Sequence, residues 1–562
     1  MRGIDDKSSC SIPQHRTKLL ICRRLERTLN QKKRAHRSSV SLLFDMAPPA
    51  TTLTFSTALS LQEKLVSGSL TSRQLVEACL QQIESHNGVL NALIRVCPDY
   101  VVLSRADELD KERREGHVRS RLHGIPVVVK DTFITHKDLG MPTTAGAHAF
   151  ASMTALNNAS VVEKLLHAGL IIIGKGNMTE FCGLKCLICP LMIPSAADGR
   201  RSNDTPVGWS AFGGQTKSPY RRDGLSENEQ PIAGGSSSGS AVSIASGFCP
   251  LAIGTETSGS TVYPASLSGL YAMKPTPSLI PTDGVFKLSS SFDSIGLMAR
   301  DPCDLVTLAE ILVGTQTEGP LGDIPKFEVS DSWEGLSVGI ADVLWGIHET
   351  GVNKWGHSHV RASWKDAVDR MRGAGARVVY PIELPAYDTV IHDKQTLHTI
   401  AYHEFSSQVK KFAGNFDPET GDIKTLEDVV AWNKDHADEA LPPPHTTQTE
   451  LEAALVAATA MTEAEHQAAV SEVRRLAGID GLGRAMREAQ VDVIVSASDS
   501  IAVGFAGAAG WPIATVPLGN LETNGQPFGL FVTAPEGRED LLFRFMGAFY
   551  ATFPAIKKPA QL

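Results

Sequence analysis

Short β-branched runs alternate with amphipathic stretches along most of the chain. Between Thr71 and Asn87 the residues Leu75, Val76, Cys79, Leu80 and Ile83 fall at helical spacing and form one apolar stripe. That predicts a helix capped by Thr71 or Ser72 and stopped at Asn87-Gly88. GIPVVVKD predicts a short buried strand, Ile125–Val129, ending in Lys130 and Asp131. SVVEKLLHAGLIIIGKGN, from Ser160 to Asn177, predicts a helix, a break at Gly169 and a strand through Ile171–Ile173. A further helix is predicted over Ser240–Gly247, and a buried strand over Val491–Val495. Residues 359–381 repeat the helix–glycine–strand order, with Val360, Trp364, Val368 and Met371 on one face. Helices alternating with such strands predict an α/β sheet covered on both faces. No internal repeat is visible. The stretch 301–480 is more polar and more helical, with a loop at Pro442–Pro444, and reads equally as a lid over a site or as peripheral helices.

Composition narrows the class. The 562 residues are 42% hydrophobic and 20% charged, which excludes a small disulfide-stapled module and a wholly disordered chain. Net charge is -9, so no nucleic-acid-binding surface is expected. Residues 1–46 run against this trend, with 11 Lys+Arg against 4 Asp+Glu. They read as a disordered or misassigned leader, with mitochondrial targeting as the alternative; Asp5, Asp6 and Glu26 oppose a presequence. The globular domain is expected to begin after Met46 and to run to residue 562 as one unit. No apolar run reaches the roughly 18 residues that span a bilayer, and a cytoplasmic location is expected. Cys182, Cys186 and Cys189 form C-x3-C-x2-C, but no histidine follows at useful spacing. No metal or other cofactor is expected, and the nine cysteines read as reduced, partly buried thiols.

The chemistry concentrates between Pro231 and Pro277. Gly234-Gly235 leads into Ser236, Ser237, Ser238, Gly239 and Ser240, and a second small-residue loop, GTETSGS, spans Gly254–Ser260. Glycine carries an ordering cost, so this density suits a place where backbone N–H groups must approach a ligand closely. A linker would not be flanked by apolar, periodic segments such as SAVSIASG. GGSSSGS lacks the lysine of a phosphate-binding loop, and no G-x-G-x-x-G follows a first strand. A G-x-S-x-G elbow is also missing.

LHGIPVVVKD, IIIGKGNMTEF, GGSSSGS, GTETSGSTVYPASLSGLYAMKPT, SSFDSIGLMAR and AGWPIATVPLG occur in this order, and together they resemble the amidase signature family over roughly residues 55–545. The resemblance implies a three-layer α/β/α fold with a large mixed β-sheet. It implies a serine hydrolase that cleaves a small-molecule carboxamide through an acyl-enzyme. Ser260 would be the nucleophile, Ser236 the bridging serine, preceded by a cis peptide, and Lys130 the terminal base. Backbone N–H groups of Thr257, Ser258, Gly259 and Ser260 would form the oxyanion hole, with Gly235 and Ser237 in support. A serine hydroxyl must lose its proton during attack. Ser236 can take that proton and pass its own to Lys130 only if Lys130 starts neutral, well below the about 10.4 of a free lysine. Burial beside Val127–Val129 works in that direction; Asp131 would oppose it if its carboxylate pointed inward.

The chain departs from the family pattern at several points. Ser258 stands where glycine or aspartate is common, Glu256 where aspartate is frequent, and Thr261-Val262 replace a commoner pair, altering the wall beside the nucleophile. The stretch 182–207 is longer than usual and reads either as a pocket-edge loop or as retained non-coding sequence. Two other functions remain open: the glutaminase subunit of an amidotransferase, and an inactive binding protein of the same fold. A homodimer is also left open.

Overall fold

The computed structural model describes residues 53–185, 206–314, 327–347, 358–390, 395–560 and 562. The expected leader, Cys186 and Cys189, and most of the long 182–207 stretch lie outside the described residues. Residues Ala50–Leu562 make one compact unit.

β-Branched runs hidden on both faces become strands of a single eleven-stranded sheet. In chain order they are β1 (Leu93–Val96), β2 (Pro126–Lys130), β3 (Ile171–Gly176), β4 (Leu251–Glu256), β5 (Tyr271–Lys274), β6 (Ser294–Ala299), β7 (Ser337–Ala341), β8 (Arg377–Ile382), β9 (Val493–Ala497), β10 (Ile513–Asn520) and β11 (Pro527–Thr533). Their spatial order is β1-β3-β2-β4-β6-β5-β10-β11-β9-β7-β8. β2 runs parallel to both β3 and β4, whereas β4–β6, β6–β5 and β10–β11 are antiparallel, so the sheet is mixed. Helices flank it, as the α/β pattern predicts.

Helix α1 (Ser72–Leu90) carries the expected Thr71 cap, reinforced by a reciprocal bond to Gln74. It does not stop at Asn87-Gly88. It continues to Leu90 and ends where Asn91 turns left-handed, φ 48°. The Asn87 side chain instead exchanges hydrogen bonds with the Leu93 backbone, fastening the helix end to β1.

Helix α2 (Ser238–Ala245) starts two residues earlier than predicted, so the serine run enters its first turn, and all eight residues are buried. Glycine is required here: a Cβ on Gly239 would lie 2.0 Å from the Ala92 carbonyl oxygen. β9 is shifted to Val493–Ala497, two residues beyond the predicted strand. The region after residue 301 adds strands β7 and β8 to the sheet as well as helices, among them α4 (Leu397–Ala413) and α5 (Glu463–Ala477). Before these in the chain comes helix α3 (Val262–Leu267), which follows the GTETSGS loop. Among the described residues no helix is long and apolar enough to cross a membrane.

Candidate active site

The site lies at the C-terminal ends of the parallel strands β2, β3 and β4. Val129 pairs with Lys175 on one side and Ile253 on the other, which puts Lys130 beside Thr255 at the end of β4. Lys130 is fully buried. Its Nζ lies 2.8 Å from Ser236 Oγ and 2.9 Å from Thr255 Oγ1, with the Thr255 carbonyl at 3.4 Å and Cys182 Sγ at 3.7 Å. Burial pushes the lysine below its ordinary pKa, opposed by the nearby Cys182, Asp293 and Glu256.

Asp131 is not among the groups that oppose it. Its carboxylate turns to the other side of the strand, takes the N–H of Thr144 at 3.1 Å and the Thr144 hydroxyl, and faces Lys175 Nζ at 3.7 Å. The inward orientation left open by the sequence does not occur.

The Gly235–Ser236 peptide is cis. The Ser237 N–H donates to the Ser260 carbonyl at 2.9 Å, which brings the two serine loops together although 24 residues separate Ser236 from Ser260. Ser237 Oγ donates to the Thr255 carbonyl at 3.2 Å, so it secures the strand end that holds Lys130. Close packing enforces glycine on both sides: a Cβ on Gly235 would meet Thr179 Oγ1 at 2.5 Å, and one on Gly254 would meet Ser237 Oγ at 2.5 Å. Ser236 is buried and Ser260 is partly exposed. The structure therefore links Lys130 to Ser236 directly and Ser236 to Ser260 through the backbone of the next residue. Among the described residues, no hydrogen bond joins the Ser236 and Ser260 hydroxyls.

Glu256 organises the loop that bears Ser260. Its Oε2 accepts the N–H groups of Thr261 at 2.7 Å and Val262 at 2.9 Å, and burial raises its carboxyl, offset by Lys274 and these amides. Thr261 and Val262 are buried and pack inward, Thr261 against Gly296. They are thus part of the loop's support. Among the described backbone-to-backbone hydrogen bonds, none uses the amide of Thr257, Ser258, Gly259 or Ser260 as donor, and of these four the Gly259 amide also bonds to the Glu256 carboxylate.

Four contributors were not singled out by sequence reasoning for this role. Thr255 contacts Lys130, yet it sits inside a motif whose serines drew the attention. Cys182 reaches the lysine because Phe181 and Cys182 both adopt left-handed backbone angles, φ 51° and 58°; burial raises its thiol. Asp293, pushed up by burial to about 6, accepts the Thr257 hydroxyl at 2.6 Å and the Leu288 N–H at 2.7 Å. For the fourth, Thr257, the sequence pointed to the amide alone; its side chain also belongs to the loop's architecture through Asp293. Among the described residues no cluster of His, Cys, Asp and Glu could hold a metal.

Comparison with known proteins places this geometry. The profile of the family described as Amidase matches residues 74–543. A provisionally named amidase of Schizosaccharomyces pombe is 30% identical over 538 residues, covering 88% of this chain and 85% of its own. A glutamyl-tRNA(Gln) amidotransferase subunit from Maridesulfovibrio salexigens is 30% identical over 381 residues, 66% of this chain and 69% of its own. The native peptide amidase from Stenotrophomonas maltophilia superposes with a TM-score of 0.75 at 29% identity, covering 90% of this chain and 98% of that one.

Proposed function

The chain belongs to the amidase family, hydrolases of carboxamide C–N bonds that work through serine and lysine, and from that membership we propose which residue does what. Ser260 Oγ attacks the carboxamide carbon. Its proton passes to Ser236 Oγ, whose own proton moves to the neutral Lys130 Nζ. The carbonyl oxygen becomes an anion facing the amides of Thr257, Ser258, Gly259 and Ser260; one such donor stabilises the transition state by roughly 3 kcal/mol. As the tetrahedral intermediate collapses, the C–N bond breaks, Ser236 protonates the leaving nitrogen and Lys130 reprotonates Ser236. Water then repeats the sequence on the Ser260 ester, releasing the carboxylic acid and restoring the serine.

One observation carries this assignment: Lys130 Nζ lies 2.8 Å from Ser236 Oγ in a fully buried setting whose direct partners are hydroxyls, a carbonyl and a thiol. Similarity to a peptide amidase over nearly the full length of both chains supports a linear carboxamide such as a peptide amide as substrate. The shorter match to an amidotransferase component supports the glutaminase reading less well.

Ammonia release from short peptide amides, simple aliphatic amides and free glutamine, measured for wild type and K130A, tests the proposal. Wild type is expected to release ammonia from a peptide or aliphatic amide, with K130A slower by about 10³-fold. Release from glutamine alone would move the assignment to the glutaminase reading. No release by a folded wild type from any of the three would overturn it.

A further inference from the structure

Among the helices after residue 301, α4 carries a buried carboxylate whose hydrogen bonds lead toward the loop that bears Ser260. Glu404, on α4, is buried, with 4% of its surface exposed. Its two oxygens accept the hydroxyls of Ser289 and Ser291, and the Ser291 N–H at 3.2 Å. His466, on α5, places Nε2 2.8 Å from Glu404 Oε1. An ionised carboxylate only accepts, so this nitrogen carries the proton. Two turns further along α5, Arg474 donates to the Ser291 carbonyl at 2.7 Å. Burial alone would raise the Glu404 carboxyl, but the two serines and His466 hold it below its ordinary value.

α4 and α5 therefore grip the Ser289–Ser291 turn from one side. On its other side the turn gives the N–H groups of Leu288 and Ser289 to Asp293, at 2.7 and 3.2 Å. Asp293 in turn accepts the Thr257 hydroxyl at 2.6 Å. Hydrogen bonds thus run without a break from His466 through Glu404, Ser289 and Asp293 to Thr257, three residues before Ser260. Apolar packing could join two helices to a turn without the cost of burying a charge. What a carboxylate adds is direction, because it fixes two hydroxyls and an amide of one turn at once.

We propose that Glu404 is a positioning residue that fixes the Ser289–Ser291 turn and, through Asp293 and Thr257, the placement of the amide donors beside Ser260. The role rests on the assignment of Ser260 and its loop given above, and it makes α4 and α5 part of the catalytic machinery rather than peripheral helices. Misplaced amides weaken stabilisation of the transition state, whereas substrate held in its ground state is little affected.

A double-mutant cycle with full-length E404Q, T257V and the double variant, with S260A alongside, tests it. Each single variant is expected to lower kcat about tenfold, with KM within roughly twofold and the double variant no more than roughly twofold below the weaker single. Losses that multiply, an unchanged kcat in E404Q, or a loss confined to KM would overturn the proposal. Thermal melting identifies any variant that fails to fold. If E404Q does so, S289A takes its place in the cycle, because it removes a single hydroxyl of the same series. Turnover retained by S260A would sink the assignment of the nucleophile, while the cycle would still decide whether Glu404 acts through Thr257.

Discussion

Lys130 ends β2 and Lys175 lies one residue before the end of the neighbouring parallel strand β3; both are fully buried and are surrounded differently. Lys175 has the Asp131 carboxylate at 3.7 Å and hydrogen bonds to Thr143 Oγ1 and the Phe133 carbonyl. Lys130 has two hydroxyls, a carbonyl and a thiol. A third buried lysine follows the Lys175 pattern, since Lys185 pairs with Glu180 at 2.7 Å. Burial disfavours the charged form of Lys130 and Lys175 alike, and the Asp131 carboxylate offsets this only in part at Lys175, which is left at about 8. Unlike Lys175 and Lys185, Lys130 has no carboxylate at ion-pair distance among the described residues. The comparison teaches that burial alone does not make a lysine a base; the partners decide, and hydroxyls leave it able to accept a proton.

The largest effects should separate the two lysines by kind. S260A should reduce turnover about 10⁴-fold or more, and K130A about 10³-fold, both with unfolding midpoints close to wild type, as steady-state kinetics and thermal melting would record. K175M should do the reverse. It strands Asp131 as a buried unpaired carboxylate and should cost about 3–5 kcal/mol of stability in denaturant titration. Adding D131N to K175M should return part of that loss. Wild-type stability in K175M would break the comparison on the Lys175 side.

A smaller effect sharpens the Lys130 side. Activity requires the neutral amine, so kcat/KM should fall as pH drops through the Lys130 pKa. The Asp293 charge favours the ammonium form. D293N removes that charge, so the acidic limb should move to lower pH, while the plateau falls because Thr257 loses its carboxylate. A shift toward higher pH would show that Asp293 does not bear on Lys130 in this sense.

Much of the site was legible because its chemistry is written in residues with strong local reasons. The Gly-Ser runs mark places where no Cβ fits, at Gly235, Gly239 and Gly254, and the Val127–Val129 run marks the strand that delivers Lys130. The direction of Asp131 was not legible, because it lies just past the end of β2 and is oriented by Thr144 and Lys175. The end of α1 was misjudged because Asn87 bonds to the Leu93 backbone while Asn91 takes the left-handed turn. Glu404 and His466 could not be read at all. Each is one of several polar residues on its amphipathic helix, and its role depends on a turn 115 residues away for Glu404, with His466 a further 62 residues along the chain. Cys182 escaped notice as a neighbour of Lys130 because only an unusual pair of backbone angles brings it there.

The most direct test of a neutral Lys130 activating Ser260 is intact-mass spectrometry after reaction with a fluorophosphonate probe. Wild type, S260A and K130A would be compared as folded proteins over a time course. A single adduct on wild type, none on S260A and a much slower adduct on K130A is the predicted result. An adduct that persists in S260A, one that forms at the wild-type rate in K130A, or none at all on wild type would contradict it.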